Sequence, residues 1–281
     1  MSVFKFVLKL ILGILMTVSL LGFIAISQIQ NTVLNKDYVI NMMEEDNYYN
    51  NLYSNIINDL KGYIGPSGLD EKVFNDILTS EKVKDDTIKV IENVYSGEEK
   101  EVEIETESIK SKLNSNIESF LAEENLVSEN KDALDEFENK IVEEYENSII
   151  YSKYYRYAKK VTSKIDLINF VKIGCIIGFA VGVIGIAFIN IKNFKKNLSE
   201  VMTFVFANGI IIKVVTLYIT TKIKIGYITI LNTSFSIVLR DVLQDLINSI
   251  SKIGTILITV SLITIVLSNL VFITKDEDEK K

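Results

Sequence analysis

Four stretches of the chain hold almost nothing but apolar side chains, and polar segments separate them. Leu10–Ile26 carries no charge and follows Lys5 and Lys9. Ile173–Ile191 is also uncharged. Val201–Thr221 is apolar apart from Asn208 and Lys213, and Ile253–Thr274 is uncharged and rich in Ile, Leu, Val and Thr. The first run alone makes a helix of about 26 Å, close to the thickness of a hydrocarbon core. A closed barrel needs many short alternating segments, whereas these runs are continuous, so helices are the form the pattern predicts.

The expected fold class is therefore an all-α integral membrane protein with four transmembrane helices and a helical extracytoplasmic domain. The reading places a cytoplasmic N-terminus at 1–9, helix 1 at 10–27 and the helical domain at 28–166. Helix 2 follows at 167–191, a cytoplasmic loop at 192–200 and helix 3 at 201–221. An external amphipathic segment at 222–252, helix 4 at 253–274 and a cytoplasmic tail at 275–281 complete it. Lys5 and Lys9 share a side with Lys192, Lys195 and Lys196 only if every span crosses, and the positive-inside rule makes that side cytoplasmic. Lys222, Lys224, Arg240 and Lys252 fall outside and argue the other way. The first run also has the shape of a signal peptide, with Ala25-Ile26-Ser27 as a small-residue cleavage site. Its length favours an uncleaved anchor.

The segment 28–166 is the one sizeable polar region. It carries 16 basic and 30 acidic side chains, a net −14, against −7 for the whole chain. Such a surface repels phosphate, so nucleic acid is not an expected partner. Its apolar residues recur at helical spacing. One run from Asp37 to about Ile64 carries Met42, Tyr49, Leu52, Tyr53, Ile56 and Leu60. Gly65-Pro66-Ser67-Gly68 breaks it, and a short helix around Val73–Leu78 follows. Ser80 is the expected cap of the next helix and Gly97 its stop. Glu98–Glu105 alternates in a way that suits a strand or an extended linker. Thr106 is then a weak cap for a helix through Asn125, and Ser128 opens the last one. With no Pro or Gly between Ser128 and Gly174, that helix is expected to run nearly unbroken into the second span.

The acidic and aromatic start Asn35–Tyr53 and the block Ser67–Gly97 resemble a family of uncharacterised bacterial membrane proteins. The resemblance implies an N-terminal anchor, a helical extracytoplasmic domain and further spans, with no catalytic residues to carry over. A chain with 28 Lys to 2 Arg and many Asn and Ile fits an AT-rich bacterial genome, so a multi-pass protein of the bacterial plasma membrane is expected.

Candidate chemistry is sparse. There is no His, Cys175 is the single cysteine, and no phosphate-binding, nucleotide or nucleophile motif occurs. No catalytic, cofactor or metal residue is assigned. Lys213 is the sharpest candidate, because an ionisable group within an apolar span is costly and marks a functional site or a snorkelling side chain. Asn208, five residues earlier, lies on a different helix face. Gly174, Gly178 and Gly182 form a row of small residues suited to helix packing. Asp241 and Asp245, one turn apart on the external segment, form a carboxylate pair. The expected partners are the lipid bilayer and either further copies of the chain or other membrane proteins. The expected function is non-enzymatic: an envelope protein whose external domain binds a partner or senses the exterior. The alternative is a subunit of an oligomeric channel or transport complex.

Overall fold

The computed structural model describes residues 3–97, 100, 102–125, 131–150, 152–191, 193–228 and 233–278. The described residues form α-helices and two short 3-10 turns, with no strand among them. They fall into two compact units. The first comprises residues 1–35, 165–229 and 239–281, and the second residues 36–164 with 230–238.

The first unit holds four helices long and apolar enough to cross a membrane. They are α1 (Val3–Asn31), α9 (Ile165–Ile189), α10 (Phe194–Lys222) and α11 (Thr233–Asp278). α10 starts inside the segment read as a loop, because Asn193 caps it by accepting from Lys196 N–H at 2.9 Å. The amphipathic residues 233–252 and the fourth apolar run belong to one helix, α11.

α1 and α9 pack against each other along their length. The seam runs through Cys175, Gly178, Gly182 and Gly185 on α9. A Cβ added at Gly178 would meet Ser19, at Gly182 Met16, and at Gly185 Leu12, while one added at Gly22 would meet Cys175. Those α9 positions are spaced three, four and three apart, the heptad-like rhythm that keeps a contact line on its partner. The expected row of fours drifts off that line. Gly174 faces open space and is not part of the packing face, whereas Gly178 and Gly182 are. A second close approach joins α10 to α11. A Cβ on Gly209 would lie 2.9 Å from the Gly254 carbonyl oxygen and 2.7 Å from Ile258 Cγ1.

The second unit is a helical domain built from α2 (Lys36–Glu45), α3 (Tyr48–Lys61), α4 (Ile64–Ser67), α5 (Ser80–Ser96), α6 (Glu107–Glu123), α7 (Lys131–Ile150) and α8 (Ser152–Thr162). α3 packs on α5 and α7, α5 on α8, and α6 on α7. Leu52, Ile56 and Leu60 from α3 meet the core with Val83 from α5, Ile109, Leu113 and Ile117 from α6, and Ile141 and Tyr145 from α7. The start of α11 belongs to this unit: Asn55 on α3 donates to the Ser234 hydroxyl at 3.1 Å.

Local chemistry corrects several expected boundaries. The run from Asp37 to Ile64 is two helices, because Asn47 takes a left-handed conformation (φ 53°) that breaks the ladder and buries Tyr48 and Tyr49. The break at Gly65–Gly68 is itself a single helical turn, α4, which Gly68 (φ 71°) ends. Thr79, not Ser80, caps α5, accepting from Lys82 N–H at 3.1 Å. Val73 and Phe74 lie in a 3-10 turn, Glu71–Phe74, capped by Asp70. The Thr106 side chain makes no cap; the Glu105 carboxylate accepts from Ser108 N–H instead, at 3.1 Å. Residues 102–106 are neither helix nor strand, and Ile104 among them is buried. Residues 98, 99 and 101 of the alternating stretch, and Ser128, lie outside the described residues.

The expected rod from Ser128 into the second span is interrupted. α8 ends at Thr162 and α9 begins at Ile165. The Thr162 hydroxyl donates to Val94 and Lys159 carbonyls, and the Ser163 hydroxyl donates to that of Lys160. Consecutive hydroxyls of this kind offer the backbone an alternative to the helical ladder.

Candidate functional site

Two polar clusters bracket the apolar helices of the first unit. At one end the Lys9 ammonium donates to Glu200 at 2.6 Å and to Asn190 Oδ1 at 3.1 Å, and Asn190 Nδ2 donates to Glu200 at 3.0 Å. Lys9 is 13% and Glu200 27% exposed, so this ion pair is largely desolvated. At the other end Gln30 joins α1 to α9, donating to Asn169 at 2.7 Å and accepting from Lys172 at 2.8 Å. From Lys9 to Gln30 the rise along α1 is about 32 Å, and from Lys172 to Asn190 along the α9 segment about 27 Å. Both match a hydrocarbon core of about 30 Å.

Lys213 lies between the two clusters. α10 runs in the same direction as α1, since Lys9 meets Glu200 and Gly13, one turn on, faces Phe204, also one turn on. Counted from Glu200, Lys213 is about 20 Å along α10. Its ammonium donates to the Ser251 hydroxyl on α11 at 2.8 Å. No described carboxylate forms an ion pair with it. Lys213 and Ser251 sit in a groove of about 260 Å³ between α10 and α11, with Thr216, Thr220 and Asn248 as its other polar lining.

Asn208 does not join this groove. It is fully buried, its Nδ2 donates to the Phe204 carbonyl of its own helix at 2.8 Å, and its Oδ1 has no hydrogen-bond partner. The two candidates are thus separate, as an interval of five residues around a helix dictates. Asp241 and Asp245 are both exposed one turn apart on α11. Among the described residues no group of three or more His, Cys, Asp or Glu side chains is placed to hold a metal ion.

Three features escaped sequence reasoning. Asp86 on α5 is 1% exposed, and its carboxylate takes Lys89 at 3.0 Å, Lys82 at 3.2 Å and the Tyr145 hydroxyl at 2.7 Å. Two cations and a phenol complete the shell that a buried charge requires. Burial, then the bond to Asp86, pushes the Tyr145 phenol well above its ordinary value. The i, i+3 and i, i+4 lysines around Asp86 were a legible signal; its burial was not. The Lys9–Glu200 pair joins residues nearly two hundred positions apart, which no spacing rule reaches.

The third is a concavity of about 440 Å³ in the helical unit, where the α2–α3 corner meets the start of α5. Glu44, Asn47, Asn50, Ser80, Glu81 and Lys84 line it around Tyr49. Lys84 pairs with Glu44 at 2.6 Å and lies over the Tyr49 ring, 5.7 Å from its centre. The Ser80 hydroxyl donates to Asn50 Oδ1. Tyr49 is 6% exposed, and its hydroxyl has no hydrogen-bond partner. Burial, then the Glu44 charge, pushes the Tyr49 phenol up to about 12. The Glu44 bond and charge hold the Lys84 ammonium above its usual value.

No protein family matches the chain, and no curated protein or solved structure does either.

Proposed function

We propose that this chain is a four-pass membrane protein of the bacterial plasma membrane that displays an acidic helical domain outside the cell as a binding module, with both termini in the cytoplasm. On this reading it acts by binding a partner and not by catalysis. Its partner is a protein segment with exposed basic residues, because the domain side of the chain carries a large excess of carboxylates.

The observation that carries the reading is the division of labour between the two units. α1, α9 and α10 expose Val18, Phe170, Phe188 and Leu217 at more than 60% each and α11 exposes Ile256 at 59%, a belt that water does not tolerate and lipid does. The helical unit closes its own core, and among its described residues the charged side chains lie at least partly exposed apart from Asp86 and Glu138, which are buried. Asp86 is neutralised as described, and Glu138 accepts from Asn114 at 2.8 Å. Its concavity presents the Glu81 carboxylate beside the Glu44–Lys84 pair, a polar recess with acidic groups at its rim. The channel alternative has less behind it, since Lys213 faces a groove at one helix pair and Asn208 is sealed in the packing.

The test uses the full chain in a bacterial host. Compartment reporters after residues 100 and 195 are expected to report opposite faces. A photo-crosslinking amino acid at position 81 is expected to give a discrete adduct, lost on charge reversal of Glu44 and Glu81. Reporters agreeing on one compartment would sink the topology. Uniform absence of adducts around the recess would sink the binding role.

A further inference from the structure

We propose that the groove between α10 and α11 is a lipid site that holds the phosphate of an anionic phospholipid bearing a hydroxylated, glycerol-type headgroup. The proposal rests on the four helices spanning a bilayer. Lys213 is an ammonium with one neutral partner and no described carboxylate, set within an apolar belt. Lys213 is about 7 Å short of the level of Lys172, counting residues along α10 and α9 from the Glu200–Asn190 contact. That depth is just beneath the headgroup layer at the Gln30 end of the spans, within reach of a snorkelling lysine and of a lipid phosphate. Lipid reaches the groove from the side, because Val214 and Leu217, which also line it, are 60% and 64% exposed.

Donors and acceptors in the groove specify the headgroup. Lys213 spends one proton on Ser251 and keeps two, and the Ser251 hydroxyl, having accepted that proton, has its own to give. Gln244 donates to Asn248 Oδ1 at 3.1 Å, which leaves the Asn248 amide protons available. These donors suit a phosphate, and charge-assisted bonds of this kind are the strong ones. Thr216 and Thr220 differ. Their hydroxyl protons go to carbonyls of their own helix, at 2.9 Å to Ile212 and 3.0 Å to Thr216, so their oxygens present lone pairs. Lone pairs repel phosphate and welcome hydroxyl donors. A phosphoglycerol head offers an anionic phosphate for Lys213 and hydroxyls for the threonines, whereas phosphocholine offers neither a net charge nor a donor.

The experiment compares lipid retention by the full chain reconstituted in vesicles of phosphatidylcholine with minor, equal amounts of phosphatidylglycerol and phosphatidylserine. Protein is recovered in mild detergent and its bound lipid quantified by native mass spectrometry. Wild type is expected to favour phosphatidylglycerol over phosphatidylcholine about tenfold, in line with one charge-assisted interaction. Lys213→Met is expected to abolish that preference and Lys213→Arg to keep most of it. Thr216→Val with Thr220→Val is expected to bring phosphatidylglycerol down to the level of phosphatidylserine. Lys222→Met controls for general surface charge and is expected to change nothing. Soluble glycerol phosphate in excess is expected to leave the bound lipid in place, and its displacement would overturn the lipid assignment. A preference surviving Lys213→Met, or equal retention of phosphatidylserine by wild type, would overturn the site. Failure of wild type to float with the vesicles would overturn the membrane reading itself, whereas flotation without any preference would overturn the site alone.

Discussion

Lys9 on α1 and Glu200 on α10 meet at 2.6 Å across 191 positions of sequence, and Asn190 bridges them. Their geometry makes removal of one partner worse than removal of both. Lys9→Met strands a mostly desolvated carboxylate and is expected to cost about 1–3 kcal/mol. Lys9→Met with Glu200→Met is expected to recover most of that loss. Thermal unfolding in detergent, arranged as a double-mutant cycle, reads the difference. Additive single and double variants would show that the pair carries no coupling.

The glycines make a sharper contrast. At Gly209 an added methyl lies 2.9 Å from the Gly254 carbonyl oxygen, and backbone cannot step aside as a side-chain tip can. Gly209→Ala is expected to destabilise the α10–α11 pair by about 1–3 kcal/mol. Gly174→Ala meets nothing within 4 Å and is expected to be neutral or to gain a few tenths of a kcal/mol from helix propensity. Retained fold against rising detergent, followed by circular dichroism, ranks the two. Equal behaviour would contradict the seam.

Alkali should act on the helical domain through its buried phenols. Tyr49 and Tyr95 are both pushed up to about 12, chiefly by burial. An unfolded tyrosine ionises at about pH 10, so the folded state holds these protons more tightly. The resulting stability is complete below pH ~10 and is lost as pH climbs towards about 12. Because the Tyr49 hydroxyl has no hydrogen-bond partner, Tyr49→Phe gives up no such bond and is expected to move the alkaline unfolding midpoint upward. Tyrosinate absorbance recorded alongside helicity would show it. An unchanged midpoint would rule out the linkage.

The four long apolar helices were legible because a run of some twenty uncharged residues leaves few forms other than a long helix, and the helix content of the acidic segment was legible from its periodicity. The finer breaks were not. Asn47 and Thr162 end helices through a single left-handed residue and a hydroxyl competing for a carbonyl, events that leave the hydrophobic rhythm intact. At the site, Lys213 stood out as a charge in an oily run. Ser251 did not, because it is one ordinary serine on another helix, and pairing across helices depends on their register. Gly174 misled for the opposite reason: a row of fours on paper bends away from a contact line that advances by alternating threes and fours.

Gln30 grips both Asn169 and Lys172, so the chain departs from α1 and comes back to α9 at neighbouring points. The chain therefore enters and leaves the intervening 36–164 at neighbouring points, and the entropy of closing so long a loop is met by the helix pair. A segment held this way is a cassette. It should survive excision when residues 230–238, which belong to the same unit, are carried with it on a short linker.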